Sequence, residues 1–336
     1  MKILYLSVHS ILEHDEYKLL TELGHDVFSF GSYQNPAKPH DNKRPPLKGK
    51  YDDHLQYLAI QCSKENLEHE LIEWADLIIV MHRTDWILNN WEKMKGKAVI
   101  WRSIGQSVPD IESQMVIPKQ EGVKIVRYSP EERNITGFAG EDAMIRFYKD
   151  PKEFHNWNGS IEKVITVSQS MNKRFFFDKY ACRFDIFNQV TEGLPRSLYG
   201  PDNEDSGIEG GLLTYPQLKK AYRDNRVYDY FGSYPASYTL NFIEALMSGI
   251  PIVAIGRELA NLKVYDMDVY EVDKIIENGV NGFISNDPNE LIEYNKLLLN
   301  DFELAKKIGE AGRQTAIKLF GKEMIKAQWK SFLDSL

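Results

Sequence analysis

The chain has 336 residues, of which 43% are hydrophobic and 27% charged, with a formal net charge of −8. This composition excludes a disordered chain or a fibre, leaves room for two domains with a core each, and argues against broad capture of nucleic acid. Two cysteines, Cys62 and Cys182, are too few for a disulfide framework, and no apolar run reaches the roughly 18 residues of a membrane span, so the expected location is the cytoplasm.

Read in chain order, KILYLSV at 2–8 predicts a buried strand, and DEYKLLTELGHDVFSF a helix, a glycine turn and a second strand, which together open as βαβ. Residues 31–50 carry Pro36, Pro39, Pro45 and Pro46 and read as an irregular excursion. A helix at 64–74 follows, then strands at 76–81, 97–103, 123–129 and 163–168 with helical stretches between them. QSMNKRFFFDKY predicts a helix. FDIF and a Gly-, Pro- and acid-rich loop at 188–211 come next, with a domain hinge expected there. A helix at 215–223, the strand VYDYFG, the stretch SYTLNFIEALMSGIPIVAIG, the strand NGFIS and helices from 288 onward complete the pattern. Strands alternating with helices predict an α/β fold with parallel sheets, whose ligands lie beyond the carboxyl ends of the strands.

Within SYTLNFIEALMSGIPIVAIG the apolar positions have helical spacing up to Gly249, which suits a left-handed C-cap, and Ile252–Ile255 form a branched strand. Glu244 is the anomaly, a charge among Ile243, Ala245 and Leu246. It needs a partner, either a structural cation inside the protein or a ligand.

Five blocks in order carry a resemblance: MKILYLSV with LGHDVFSF, then VITVSQSMNKRF, FIEALMSGIPIVAI, ENGVNGFI, and the tail NDFELAKKIGEAGRQTAIKLFGKEMIKAQW. With them the chain resembles the group 4 glycosyltransferases, nucleotide-sugar enzymes of the GT-B architecture. The resemblance implies two Rossmann-like domains facing a cleft: 1–170 on the acceptor side, 171–320 as an abridged nucleotide-sugar-binding domain, and 321–336 as a helix returning to the first. It implies that Glu244 hydrogen-bonds the nucleotide ribose, as a carboxylate can with vicinal hydroxyls. It also implies that Ser237, Tyr238, Thr239 and Leu240 meet the donor where a helix opens with its positive end toward phosphate.

The sequence departs from the family where Ala236 stands in place of a first sugar-facing glutamate, and where the glycine-rich phosphate loop is missing. Arg196, Lys219 and Arg223 are substitutes to consider for the missing loop. Arg102 and Gln106, in the loop after the strand KAVIW, and His9, after the first strand, are the expected catalytic residues, with Arg127 as a further donor contact; for each of these the alternative is a loop-tying or structural role. Asp266 and Asp268 spell Asp-x-Asp, a metal-holding motif of a different architecture, and are discounted, so no metal and no cofactor are expected.

The implied function is transfer of a sugar, with retained configuration, from a nucleoside-diphosphate sugar to a hydroxyl of a glycan, a lipid-linked sugar or a small molecule. One alternative is glycosylation of a hydroxymethyl-pyrimidine in DNA, for which Lys43, Arg44 and Lys48 are the sequence support. Another is a nucleotide-sugar-binding module that has lost catalysis, which Ala236 would suit.

Overall fold

The computed structural model describes all residues except 32–43, 45–52, 64–65, 174 and 177–178. The Pro-rich excursion apart from Gly31 and Arg44, and with it Lys43 and Lys48, therefore lies outside the described residues; Arg44 is buried, 3.9 Å from Asp15. The chain divides into two compact units, Met1–Phe147 with Ile325–Leu336, and Tyr148–Met324.

The first unit is built on a parallel sheet in the order β2-β1-β3-β4-β5-β6. Its strands are β1 (Lys2–Leu6), β2 (Asp26–Phe30), β3 (Leu77–Met81), β4 (Ala98–Arg102), β5 (Lys124–Arg127) and β6 (Ala143–Met144). The helices are α1 (Ser10–Glu22), α2 (Asp53–Gln61), α3 (His69–Trp74), α4 (Thr84–Leu88), α5 (Trp91–Met94) and α6 (Pro109–Gln120). The expected helix at 64–74 begins only at His69. Every residue of β3 is buried, as a parallel strand covered on both faces requires, and Ile78, Val80, Trp101 and Ile125 centre the core. The chain steps from β1 outward to β2 and returns to β3 on the other side, so the strand order reverses between β1 and β3.

The second unit holds a parallel sheet in the order β11-β10-β7-β12-β13-β14. Its strands are β7 (Ile161–Val167), β10 (Arg196–Tyr199), β11 (Gly210–Gly211), β12 (Asn225–Tyr230), β13 (Ile252–Ile255) and β14 (Phe283–Ser285), with a separate hairpin of β8 (Phe175–Phe176) and β9 (Lys179–Tyr180). The helices are α7 (Phe184–Thr191), α8 (Tyr215–Asp224), α9 (Leu240–Ser248), α10 (Arg257–Ala260), α11 (Val272–Ile275), α12 (Pro288–Asn300) and α13 (Phe302–Phe320); α14 (Lys322–Leu333) runs on into the first unit.

Three expectations are corrected here. The boundary expected at 170 lies at 147/148, because KVITVS pairs as β7 with β10 and β12, and a branched run does not reveal which sheet it joins. The helix expected over QSMNKRFFFDKY is replaced by turns and the β8–β9 hairpin, in keeping with its run of three phenylalanines. The supposed loop from 188 contains the end of α7 and all of β10, a strand of four residues hidden behind Gly193 and Pro195.

Helix α9 ends as its sequence requires, with Gly249 at φ 85 as the left-handed cap. Helix α13 packs on α9 through glycine. A Cβ on Gly309 would come within 2.0 Å of the Gly249 carbonyl oxygen, and one on Gly312 within 2.9 Å of the Asn281 carbonyl oxygen.

Candidate functional site

In an open parallel sheet the ligand crevice forms where the strand order reverses, at the carboxyl ends of the strands. In the second unit that point lies between β7 and β12, and a narrow crevice opens there, lined by Thr166, Ser168, Asp229, Ser233, Thr239 and Asn241 among others. Thr239 is the N-cap of α9; its hydroxyl accepts from no backbone amide of the helix and instead donates to the Asn241 side-chain oxygen. The Asn241 side-chain amide donates to the Val167 carbonyl and fastens the start of α9 to the end of β7. Thr166 Oγ1 donates to the Asp229 carbonyl at 2.9 Å, which fixes β7 against β12 below the crevice. The site thus combines hydroxyls and an amide with a helix N-terminus that carries no acidic residue in its first turn, a setting that favours an anion.

The other expected donor contacts are placed differently. Ser237 is buried, and its carbonyl accepts from the Glu271 amide at 3.1 Å. Tyr238 is buried edge-on against Phe320, with centroids 5.3 Å apart. Leu240 is half-buried as the first residue of α9.

Glu244 has its partner inside the protein. Its Oε1 lies 2.8 Å from Lys149 Nζ, both side chains are under 5% exposed, and Tyr222 OH is 3.4 Å from Oε2. Glu244 does not line the crevice; the ion pair holds α9 against the segment at Lys149, whose amide donates to the Phe320 carbonyl. The expectation that Glu244 presents its carboxylate to a ribose is corrected accordingly, because both of its oxygens are turned to buried protein groups.

In the first unit the corresponding reversal lies between β1 and β3. Ser7 Oγ and Met81 Sδ meet there at 3.5 Å, and His9 caps α1, with its ring Nδ1 accepting from the Leu12 amide at 3.4 Å. His9 is thus a helix cap. The residue that follows β3 is His82, held at φ 62, with its amide donating to the Arg102 carbonyl and its carbonyl accepting from Trp101 Nε1, both at 2.8 Å. Burial, with the nearby Arg83 charge, lowers its pKa to about 4, so the ring is neutral at pH 7, and its Nδ1 is buried without a hydrogen-bond partner. A left-handed histidine at a strand end is the kind of backbone outlier found at functional sites. Sequence reasoning passed over His82; the signal was its place directly after DLIIVM, which gains meaning only once β3 is known to flank the reversal.

Arg102 and Arg127 are not presented to a ligand. Arg102 is 0% exposed, donates from Nε to Glu16 at 3.0 Å, and has its guanidinium between the Phe147 and Trp329 rings at 5.0 and 5.5 Å. Tyr5 OH donates to the same Glu16. Arg127 makes two parallel hydrogen bonds of 2.7 Å to Glu112 and two to the Gly140 carbonyl. Burial raises the Glu132 pKa against the opposing effect of the Arg127 charge, and Glu132 accepts from Ser103 at 2.8 Å. These are internal charge networks that tie the ends of β4 and β5, and the expectation of an anion site at either arginine is corrected. Gln106, beside Gly105 at φ 91, is exposed.

Arg196 donates to Thr191 and the Asn188 carbonyl, Lys219 lies over the Tyr215 ring, and Arg223 pairs with Asp224, so all three are engaged locally. Asp268 pairs with Arg257 at 2.7 Å, and Arg257 also holds Asp273 and the Tyr270 carbonyl. Among the described residues no three His, Cys, Asp or Glu side chains cluster as metal ligands, and no helix is long and apolar enough to cross a membrane.

No protein-family model and no curated protein sequence matches the chain. Solved structures do. Sucrose-phosphate synthase from Thermosynechococcus elongatus is 15% identical with a TM-score of 0.68, covering 100% of this chain and 98% of its own. Anabaena HepE, solved in complex with UDP and glucose, is 13% identical with a TM-score of 0.66 over 100% of both chains. A glycosyltransferase from Rickettsia africae is 13% identical with a TM-score of 0.69, covering 99% of this chain and 98% of its own. At these identities the likeness establishes the architecture of the two parallel sheets.

Proposed function

We propose that this chain, which has the GT-B fold, is a glycosyltransferase that takes its sugar from a nucleoside-diphosphate sugar with a uridine base. The observation that carries the reading is the crevice at the strand-order reversal of the second sheet, where the N-terminus of α9 meets Thr166, Ser168, Ser233, Thr239 and Asn241. HepE, matched in fold over the whole of both chains, was solved with UDP and with UDP-glucose, which supports the choice of nucleotide.

In this reading the diphosphate lies against the amides of Leu240 and Asn241 at the start of α9, since the Phe242 amide donates to Asn241 Oδ1, and the hydroxyls of Ser233 and Ser168 supply further donors. Loss of the nucleoside diphosphate leaves negative charge on its terminal phosphate. Fixed amide dipoles stabilise that charge without reorganising, the role a metal ion plays elsewhere. No metal step is required. His82, at the reversal point of the first sheet, is a neutral imidazole whose pKa of about 4 makes it a hydrogen-bonding group there rather than a base tuned to pH 7. Retention of configuration, a hydroxyl acceptor and a cytoplasmic location belong to the same proposal. A glycan, a lipid-linked sugar and a small molecule all remain within it as acceptors, and nucleic acid is the alternative.

A panel of nucleotide sugars read by thermal shift tests the proposal. UDP or a UDP-sugar should raise Tm in proportion to RT ln(1 + [L]/Kd), and no shift with any nucleotide would overturn it. Two observations favour a second reading, a binding module without catalysis: Ala236 offers no carboxylate to the sugar, and Glu244 is engaged with Lys149. Slow release of UDP from UDP-glucose without acceptor would support the enzyme; tight UDP-glucose binding with no release would support the module.

A further inference from the structure

Asp229, next to last in β12, and Asn295, in the middle of α12, are both 0% exposed. Asn295 Nδ2 donates to Asp229 Oδ2 at 2.8 Å. The other oxygen of each group, Asp229 Oδ1 and Asn295 Oδ1, is buried with no hydrogen-bond partner. If Asp229 is ionised, both orphans are acceptors and neither can satisfy the other. A proton on Oδ1 makes the acid a donor, and a hydrogen bond from it to Asn295 Oδ1 would satisfy both orphans at once.

The surroundings offer a carboxylate nothing better. From β7, Thr166 bonds the Asp229 carbonyl rather than its side chain, and β13 places Val253 beside it. The buried face of α12 is Leu291, Asn295, Leu298 and Leu299, while Glu290, Glu293 and Lys296 are exposed. The adjacent titratable group, Tyr228, is held protonated well above its usual range by burial; its ring meets Tyr222 of α8, which in turn contacts the Glu244–Lys149 pair. Burial drives the Asp229 carboxyl up to about 8, against a smaller opposing effect of the Asn295 hydrogen bond. Asp229 also lines the crevice.

We propose that Asp229 is carried as the neutral acid in a reciprocal acid–amide pair with Asn295, and that this pair positions the carboxyl end of β12 for nucleotide binding. The positioning part rests on the crevice being the nucleotide site; the pair itself does not.

The test compares the full-length wild type with Asp229→Asn, whose amide can pair with Asn295 at any pH, and with Asp229→Leu, which cannot pair at all. An acid whose folded pKa is raised keeps its full contribution below its unfolded pKa, near 4, and loses it as pH rises to about 8. The unfolding equilibrium constant of the wild type relative to Asp229→Asn should therefore shift by up to roughly tenfold per pH unit across that window and level off above it. At pH 4.5 Asp229→Asn should match the wild type in urea midpoint and Asp229→Leu should fall below both. A difference between wild type and Asp229→Asn that is the same at pH 4.5 and pH 9 would overturn the pair. For the positioning claim, wild-type affinity for UDP should fall about tenfold from pH 7 to pH 9, as the neutral fraction drops, and that of Asp229→Asn should not. Equal loss in both proteins would overturn that claim. No UDP binding at either pH would remove it together with the nucleotide-site reading, while the unfolding data still decide the pair.

Discussion

Replacing Glu244 by alanine removes the carboxylate that lies 2.8 Å from the buried Lys149 ammonium. The two side chains are 4% and 3% exposed and 2.8 Å apart, so neither has the water screening that makes surface pairs nearly worthless. Breaking a buried pair by removing one partner costs about 3–5 kcal/mol, mostly the desolvation penalty of the remaining charge. Against a total stability on the order of 5–15 kcal/mol, Glu244→Ala should be a severe destabiliser despite the good helix propensity of alanine. The double variant Glu244→Leu with Lys149→Met removes both charges at similar volume and should recover most of the loss, since such replacements are often neutral or better. Urea unfolding of the wild type, both single variants and the double variant closes the thermodynamic cycle. If Glu244→Ala unfolds at the wild-type midpoint but loses UDP affinity, the ion pair is incidental, and the ribose role suggested by the sequence resemblance returns.

Thr239 makes no capping hydrogen bond, so Thr239→Ala should cost less than the typical cap value of about 1 kcal/mol in urea unfolding while weakening UDP binding measured by calorimetry. His82→Ala should lower turnover more than it lowers Tm if the ring meets the acceptor, and a large Tm loss with normal turnover of the surviving folded protein would make it structural. Arg102→Ala should destabilise by about 3–5 kcal/mol through the stranded Glu16 carboxylate, read by urea unfolding, and the surviving folded protein should bind UDP normally. Chelation by EDTA and Asp266→Ala should both leave UDP binding unchanged; loss restored by manganese would reopen the Asp266 and Asp268 pair.

The alternation of strands and helices was legible because a buried parallel strand needs a branched run, and LIIVM and IVAI supply one each. The end of α9 was legible because only a residue free of a Cβ penalty suits φ 85. The assignment of β7 to the second sheet was not, since pairing between distant segments leaves no local mark. The site was harder for a related reason. Arg102, Arg127 and Glu244 looked functional as charges near strand or helix ends, but their partners, Glu16, Glu112 and Lys149, lie 86, 15 and 95 residues away, and a sequence does not show which charges cancel. His82 and Asp229 were missed for the converse reason: each looks ordinary until the strand order puts it at a reversal or its burial leaves an oxygen or nitrogen unmatched.

The glycine contact between α13 and the end of α9 also limits how the second unit can respond to a ligand. With the Gly309 α-carbon set against the Gly249 carbonyl there is no clearance for α9 to slide along α13, and Arg313 adds hydrogen bonds to the Met247 and Phe154 carbonyls. Helix α9, strand β13 and α13 therefore form a fixed anvil. On the proposed reading of the crevice, adjustment to a ligand would fall to the segment 231–239, which enters α9 from the opposite end, and any side chain at Gly309 should be destabilising.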